Sequence, residues 1–325
     1  MKALVYDGIE TLGFRDVAAP VAAEGEHLIR VAAVGICGSD MHAYLGHDAR
    51  RPAPLILGHE AAGVIEGGPQ DGRRVTVNPL VTCGECAACT SGRENLCPAR
   101  QIISMQPREG AFAQYITMPD RNLVTVPDAV PLAKAALAEP LAVSWHAVRL
   151  ALAALHPATE RRALVIGGGA IGLAAALALG AMGVAEVTVI EPAAARRTFL
   201  GTLGVQAVAE AQGPFPIVID AVGYSATRAT ATAQVAAGGV IAHVGLGEDT
   251  GGLDVRRMTL QEITFIGTYT YTAQDFRDTA AAIFDGRLGA LAWCAHRPLS
   301  QGAQAFAQLR AGTVPEPKII LDPWG

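Results

Sequence analysis

Four of the chain's six cysteines fall within fifteen residues: Cys83, Cys86, Cys89 and Cys97, in CGECAACTSGRENLC. Two-residue gaps let successive thiolates converge on one point, which suits a tetrahedral Zn2+ about 2.3 Å from each sulfur. The same gaps make disulfides between neighbours awkward to close. Gly84 and Gly92 supply sharp turns between the ligands. An iron–sulfur cluster also takes four thiolates, and Pro98 after Cys97 is compatible with one, although the bacterial signature has a different third gap. Four reduced, buried cysteines without a ligand are the plain alternative, and the polar, loop-like surroundings speak against it. A zinc with four protein ligands contributes folding free energy and leaves no open position for a substrate. The expected setting is a reducing one, the cytoplasm.

A second set of ligand types is open. Cys37 in GICGSDMH is followed 22 residues later by His59 in LILGHE, with Glu60 adjacent. One sulfur, one imidazole and one carboxylate suit Zn2+ with a position left for water or substrate. A cysteine on the apolar run LIRVAAVGIC can equally be packing, and His59 an ordinary turn histidine. Glu139 stands before Pro140 in the apolar segment LAEPLAVSWHAV. Buried there it needs a metal or a partner. As a helix-start residue it is favourable near the N-terminus, with proline opening the first turn.

The third constellation is Gly167-x-Gly169-x-x-Gly172, between the apolar run RRALVI and an alanine-rich stretch with helical character. The first glycine makes a tight turn, the second lets the backbone approach a pyrophosphate, and the third packs helix on strand. Phosphate then sits at the helix N-terminus, against Gly169, Ala170, Ile171 and Gly172. Glu191 closes the next strand, EVTVIEP, 19 residues after Gly172, where an acid accepts the adenosine ribose hydroxyls and disfavours a 2'-phosphate. NAD is therefore expected over NADP. Arg196 and Arg197 could meet a 2'-phosphate, but solvated helix arginines are the commoner case.

The elements that must position these groups follow from the pattern. FPIVIDAVG, a helix through ATRATATAQVAAGG, the strand GVIAHVGL, a helix near DVRRMTLQE and the strand ITFIGTY alternate strand with helix. That alternation predicts an α/β fold with a doubly wound parallel sheet and the dinucleotide across the strand ends, near Val222, Gly223 and Leu246. Too few residues separate VQAVAEAQGP from FPIVID for a crossover helix, so the third strand is expected to be short and its connection truncated. With 325 residues the chain should form two domains. A net charge of -5 without basic runs excludes nucleic acid and anionic membranes as natural partners. The Ala- and Gly-rich run over 170–185 is shorter than a membrane span, and the start of the chain carries Asp7 and Glu10, unlike an export signal.

Taken together, GICGSDMH, LGHEAAGVI, the four-cysteine segment, EPLAVSWHAV, VIGGGAIG, DAVG and KIIL, in this order over nearly the whole chain, resemble the zinc-containing medium-chain dehydrogenases. Glu139, standing where the primary-alcohol branch has a cysteine, makes the sequence more similar to the polyol branch of sorbitol and iditol dehydrogenases.

The resemblance implies a GroES-like, β-rich catalytic domain over 1–144 and 270–325, interrupted by a Rossmann NAD-binding domain over 145–269, with the active site in the cleft between them. It implies a catalytic zinc on Cys37, His59 and Glu60, with Glu139 bound directly or through water, besides the structural zinc on the four clustered cysteines. Ser39 would bond the substrate oxygen, His42 would help carry its proton to solvent, and Asp40 would orient His59. Tyr44, Phe112 and Tyr271 would line the substrate pocket, unless they are plain packing. The activity implied is oxidation of a secondary alcohol, a polyol or sugar alcohol, to the ketone by hydride transfer to NAD+. L-threonine and simple aliphatic alcohols are the alternatives. A homodimer or homotetramer joined through the strand ITFIGTY is implied as well.

A non-catalytic dinucleotide-binding protein would need none of Cys37, Ser39, His59 and Glu60, and zinc-independent reductases of the same fold lack both zinc sites. One departure stands out. Thr270 occupies the place where polyol dehydrogenases resembling this chain carry an arginine, which removes a bidentate hydroxyl partner. Arg50 and Arg51 are expected in solvent, and Cys294, His243 and His296 in packing roles.

Overall fold

The computed structural model describes residues 1–325. The chain divides into two compact units. One comprises Met1–Glu139, Thr272–Gly286 and Leu291–Gly325; the other comprises Pro140–Tyr271 and Arg287–Ala290. No helix is long and apolar enough to cross a membrane.

The first unit is built on a seven-stranded sheet, ordered Leu123–Thr125, Arg74–Val77, Glu60–Ile65, Glu26–Gly35, Lys318–Asp322 and Cys294–Pro298, with Tyr115–Pro119 also pairing on Glu26–Gly35. Its register brings distant residues together. Gly35 lies opposite Glu60 on one side and opposite Ile320 on the other. Cys37 follows Gly35 by two residues and Lys318 precedes Ile320 by two, so three segments deliver their polar side chains to one end of the sheet. Leu80–Val81 pairs with Gln101–Ile102 and closes the base of the cysteine-bearing loop.

The second unit has the expected parallel sheet. Arg162–Ile166, Glu186–Ile190, Gln206–Val208, Phe215–Asp220, Val235–His243 and Thr264–Gly267, taken as first to sixth, are ordered third, second, first, fourth, fifth, sixth. This is the doubly wound order, whose strand direction reverses its build-out beside the first strand and leaves a crevice there.

The third strand is short, and residues 209–214 form no helix. Val208 is level with Asp220 across the sheet, through Ile190 and Ile166. The connection must therefore cross three strand spacings and drop five residues, a diagonal of about 22 Å. Seven Cα steps reach at most about 25 Å, so the segment has to run nearly extended. The helix expected through Gly239 instead ends at Gln234, because Val235 already pairs with Phe215. The ladder then shifts register, with Gly238 at φ +68° in the irregular stretch.

Asp220 ends the fourth strand and is fully buried. Its Oδ1 accepts from the N–H groups of Val222 and Gly223 (3.1 and 3.0 Å), and its Oδ2 accepts from Thr227 Oγ1 and lies 3.1 Å from His243 Nδ1. His243 is thus a partner of the turn, and more than packing. Burial pushes the Asp220 carboxyl upward, but His243 and the two N–H groups outweigh it and hold it below the usual range. The depressed folded-state pKa means that this carboxylate stabilises the fold above its unfolded pKa, and that the contribution is lost as pH falls through the folded one. Asp220→Asn should cost about 1–3 kcal/mol near neutral pH, and urea unfolding should show the difference from the parent chain shrinking below about pH 4.

Candidate active site

The cysteine lobe forms first from local structure. Cys86 caps the helix Ala87–Thr90, Cys89 lies in it, and Cys97 follows the turn Glu94–Leu96. Gly84 and Gly92 adopt φ of +84° and +71°, the left-handed region that favours glycine. The Sγ atoms of all four cysteines lie within 4.8 Å of one another. Measured separations are 3.8 Å for Cys83–Cys89 and 3.6 Å for both Cys86–Cys89 and Cys97–Cys83. A tetrahedron of sulfurs about 2.3 Å from a zinc has edges of about 3.8 Å, so the donor set fits the ion. N–H groups of Glu85 and Cys86 draw the Cys83 thiol down to about 6, while burial pushes Cys89 up to about 11.

Cys37 caps the helix Gly38–Tyr44. Asp40, in its first turn, accepts from the Cys37 N–H at 3.0 Å and from the Gly58 N–H at 3.2 Å, and its Oδ1 is 3.4 Å from His59 Nδ1. One buried carboxylate thereby ties the cysteine turn to the histidine turn. Burial raises the Asp40 pKa, but His59, Arg51 and the Cys37 N–H prevail and keep it ionised. Burial likewise opposes charge on His59, yet Asp40 and Cys37 drive its pKa well above the ordinary value. Ser39 Oγ lies 3.5 Å from His59 Nε2, and Ser104 Oγ 3.3 Å from Nδ1.

Glu60 is fully buried. Its Oε1 accepts from Lys318 Nζ at 2.6 Å, and Lys318 also donates to the Ile36 carbonyl at 2.9 Å. Burial would lower the Lys318 pKa, but Glu60 and Cys37 raise it above its usual value. The other oxygen, Oε2, has no hydrogen-bond partner. A Cβ on Gly35 would stand 1.9 Å from that oxygen, so only glycine leaves room for the carboxylate. A buried, orphaned carboxylate oxygen beside a cysteine and a histidine fits a cation. The donor atoms of Cys37, His59, Glu60 and Glu139 do not draw together within 4.8 Å as the four clustered cysteines do. Glu139 is buried in the first turn of the helix Ala138–Ala154, close enough to act on Lys318 electrostatically.

Several expectations need correction. Tyr44 and Phe112 belong to the hydrophobic core, packed on Phe306 at centroid distances of 5.2 and 5.9 Å, as plain packing would have them. Tyr271 is also buried, in the other unit. Arg51 is not in solvent but 3% exposed, and bonds Ser39, Asp48 and Ser104. His42 is exposed on the same short helix as Ser39. Thr270 holds a left-handed φ of +46°, and its Oγ1 is buried without a partner. Lys318 was missed by sequence reasoning. The available signal was its identity: it is one of only three lysines among 25 basic residues and opens an apolar run.

In the second unit, Gly167 has φ +97°, and a Cβ on Gly172 would stand 1.7 Å from the Gly167 carbonyl oxygen. The helix Ala170–Ala181 is capped by Gly169, and its hydrogen-bond ladder begins with Leu173 donating to Gly169. The amides of Ala170, Ile171 and Gly172 are therefore available to an anion. Glu191 accepts from the N–H groups of Gly168 (3.0 Å) and Ala193 (2.8 Å), which locks its carboxylate beside the glycine turn. Arg197 is not simply solvated: it donates to the carbonyls of Glu191 and Pro192. Arg196 is half-buried on the helix Ala194–Thr202. Val222 and Gly223 form the turn held by Asp220, and Leu246 is 79% exposed.

Two family models match the chain: the alcohol dehydrogenase GroES-like domain over residues 23–128 and the zinc-binding dehydrogenase model over residues 170–285. The L-galactonate-5-dehydrogenase of Escherichia coli K12 is 32% identical over 94% of each chain. A sorbitol dehydrogenase of Arabidopsis thaliana is 30% identical over 81% of this chain and 79% of its own. An alcohol dehydrogenase of E. coli CFT073, solved with NADH, shares the fold at a TM-score of 0.89, with 24% identity over 99% of both chains.

Two outcomes follow from the geometry. Cys89→Ser should lower bound zinc by one equivalent per chain and reduce the unfolding temperature, as read by metal analysis and calorimetry. Lys318→Met in zinc-stripped protein should cost about 3–5 kcal/mol in denaturant unfolding, because it leaves the Glu60 charge buried and uncompensated.

Proposed function

Because the chain belongs to the zinc-binding medium-chain dehydrogenases, whose members use zinc and a nicotinamide dinucleotide, we propose that it oxidises a secondary alcohol of a polyol or related sugar derivative to the ketone, with NAD+ as acceptor. The observation that carries this reading is the buried Glu60 carboxylate with one oxygen unpartnered, next in sequence to His59, whose ring Cys37 and Asp40 act on.

Cys37, His59 and Glu60 would hold the catalytic zinc, with Glu139 as a fourth ligand, direct or through water, and the four clustered cysteines would hold the structural one. When bound, zinc makes an alcohol oxygen more acidic and the nicotinamide accepts hydride. The chain's own residues do the rest. Asp40 fixes the His59 ring through Nδ1, so Nε2 would be the nitrogen to meet the metal. Ser39 Oγ, 3.5 Å from that nitrogen, is placed to receive the alcohol proton. His42 follows three residues later on the same helix, so it shares a face with Ser39 and is exposed to pass the proton to water.

Glu191 supports NAD over NADP. Its carboxylate is pinned at the glycine turn and would repel a 2'-phosphate. Polyols are favoured because the relatives include dehydrogenases of sorbitol and L-galactonate, whereas the threonine at position 270 keeps small secondary alcohols and L-threonine as the second reading.

The test is NADH formation by zinc-replete protein across polyols, sugar acids, simple secondary alcohols and L-threonine, with NADP+ in parallel. Preference for a polyol or sugar acid with NAD+ is expected, and turnover confined to simple alcohols or L-threonine would overturn the substrate assignment. Cys37→Ala and His59→Ala should each abolish turnover while NAD+ binding, followed by fluorescence, stays within about threefold; joint loss of both would count against the assigned roles.

A further inference from the structure

Ser39 and Ser104 flank the two ring nitrogens of His59. Ser104 is fully buried with φ +71°, a left-handed conformation that is costly for a residue with a Cβ and persists only where its surroundings enforce it. The group that reaches both serines is Arg51. Its Nε donates to the Ser104 carbonyl at 3.0 Å, Nη1 to the Ser39 carbonyl at 3.2 Å, and Nη2 reaches Ser39 Oγ at 3.4 Å.

The fork is itself held. Asp48 Oδ2 accepts from Nη1 at 2.7 Å, and the same carboxylate pairs with the exposed Arg50. Asp48 therefore compensates a guanidinium that is 3% exposed. The contacts span 12 residues to Ser39 and 53 to Ser104, so this one planar side chain joins the helix Gly38–Tyr44 to the loop after Gln101–Ile102. A lysine has one nitrogen where three separate N–H directions are used, and cannot reproduce the arrangement.

We propose that Arg51 is a positioning residue for the reaction: its guanidinium clamps Ser39 and Ser104 on either side of the His59 ring and thereby fixes the hydroxyl that receives the alcohol proton. The inference rests on the role given to Ser39 above. A displacement of about 1 Å at such a group can lower turnover about 100-fold without altering ground-state binding.

The experiment compares zinc-replete parent enzyme with Arg51→Lys, Arg51→Ala and, as a control, Arg50→Met, using the alcohol that the parent oxidises best and its α-deuterated form. Arg51→Lys and Arg51→Ala should lose about 30-fold or more in kcat with KM for NAD+ within about threefold, and the deuterium isotope effect on kcat should rise. Millimolar ethylguanidinium should restore part of the activity of Arg51→Ala and none of Arg51→Lys, while Arg50→Met stays within about twofold of the parent. Crystal structures of the variants give a readout independent of turnover, and Ser104 should relax to negative φ with a rotated His59 ring. Unchanged kcat, a loss that follows zinc content or folded fraction without rescue, or an undisturbed Ser104 and His59 would overturn the clamp. Should the parent oxidise no alcohol at all, the functional reading fails, and the variant structures still decide whether Arg51 holds the two serines.

Discussion

Glu60 is buried on a sheet whose register leaves its carboxylate no alternative partner, and the architecture of the first unit can be read as the means of compensating that charge. Gly35 must lack a side chain for the carboxylate to lie over it. Lys318, 258 residues away along the chain, must return on the strand that flanks Glu26–Gly35 on the side opposite Glu60 to supply the counter-charge. A lone buried carboxylate would take up a proton or disrupt the fold. With Lys318 in place only one oxygen is compensated, and the remaining one lies over Gly35 without a partner.

Within each unit, buried acids also hold backbone turns. Asp40 binds the N–H groups at both the cysteine and the histidine turns. Asp220 does the same for the turn after the fourth strand of the second unit, and Glu191 for the glycine turn. Carboxylates that accept backbone N–H groups lock the turn conformation. The turns beside the candidate site residues are thus shaped by buried acids, and the sheets supply the fixed frame.

The cysteine lobe and the glycine turn were legible because their chemistry is local. Spacing alone determines whether four thiolates can meet at one ion, and the measured sulfur separations match that expectation. The truncated third connection was legible for a similar reason, since chain length limits reach. The aromatic residues were not. Tyr44 and Phe112 stand near motif residues in sequence, but whether a ring faces a pocket or a core depends on what the rest of the sheet places against it, here Phe306. Arg51 in DARRPAP reads as a solvent arginine until the loop carrying Ser104 closes over it.

By itself, the sequence determined which atoms could bind metal, which turn could approach a pyrophosphate, and how strands and helices alternate, because each depends on residues within a few turns of one another. Only the tertiary structure decided which of those atoms are compensated. Lys318 on Glu60, Arg51 on Ser39 and Ser104, and His243 on Asp220 are pairings between segments whose separation carries no periodic signal, and they form because burying one polar group requires another to meet it.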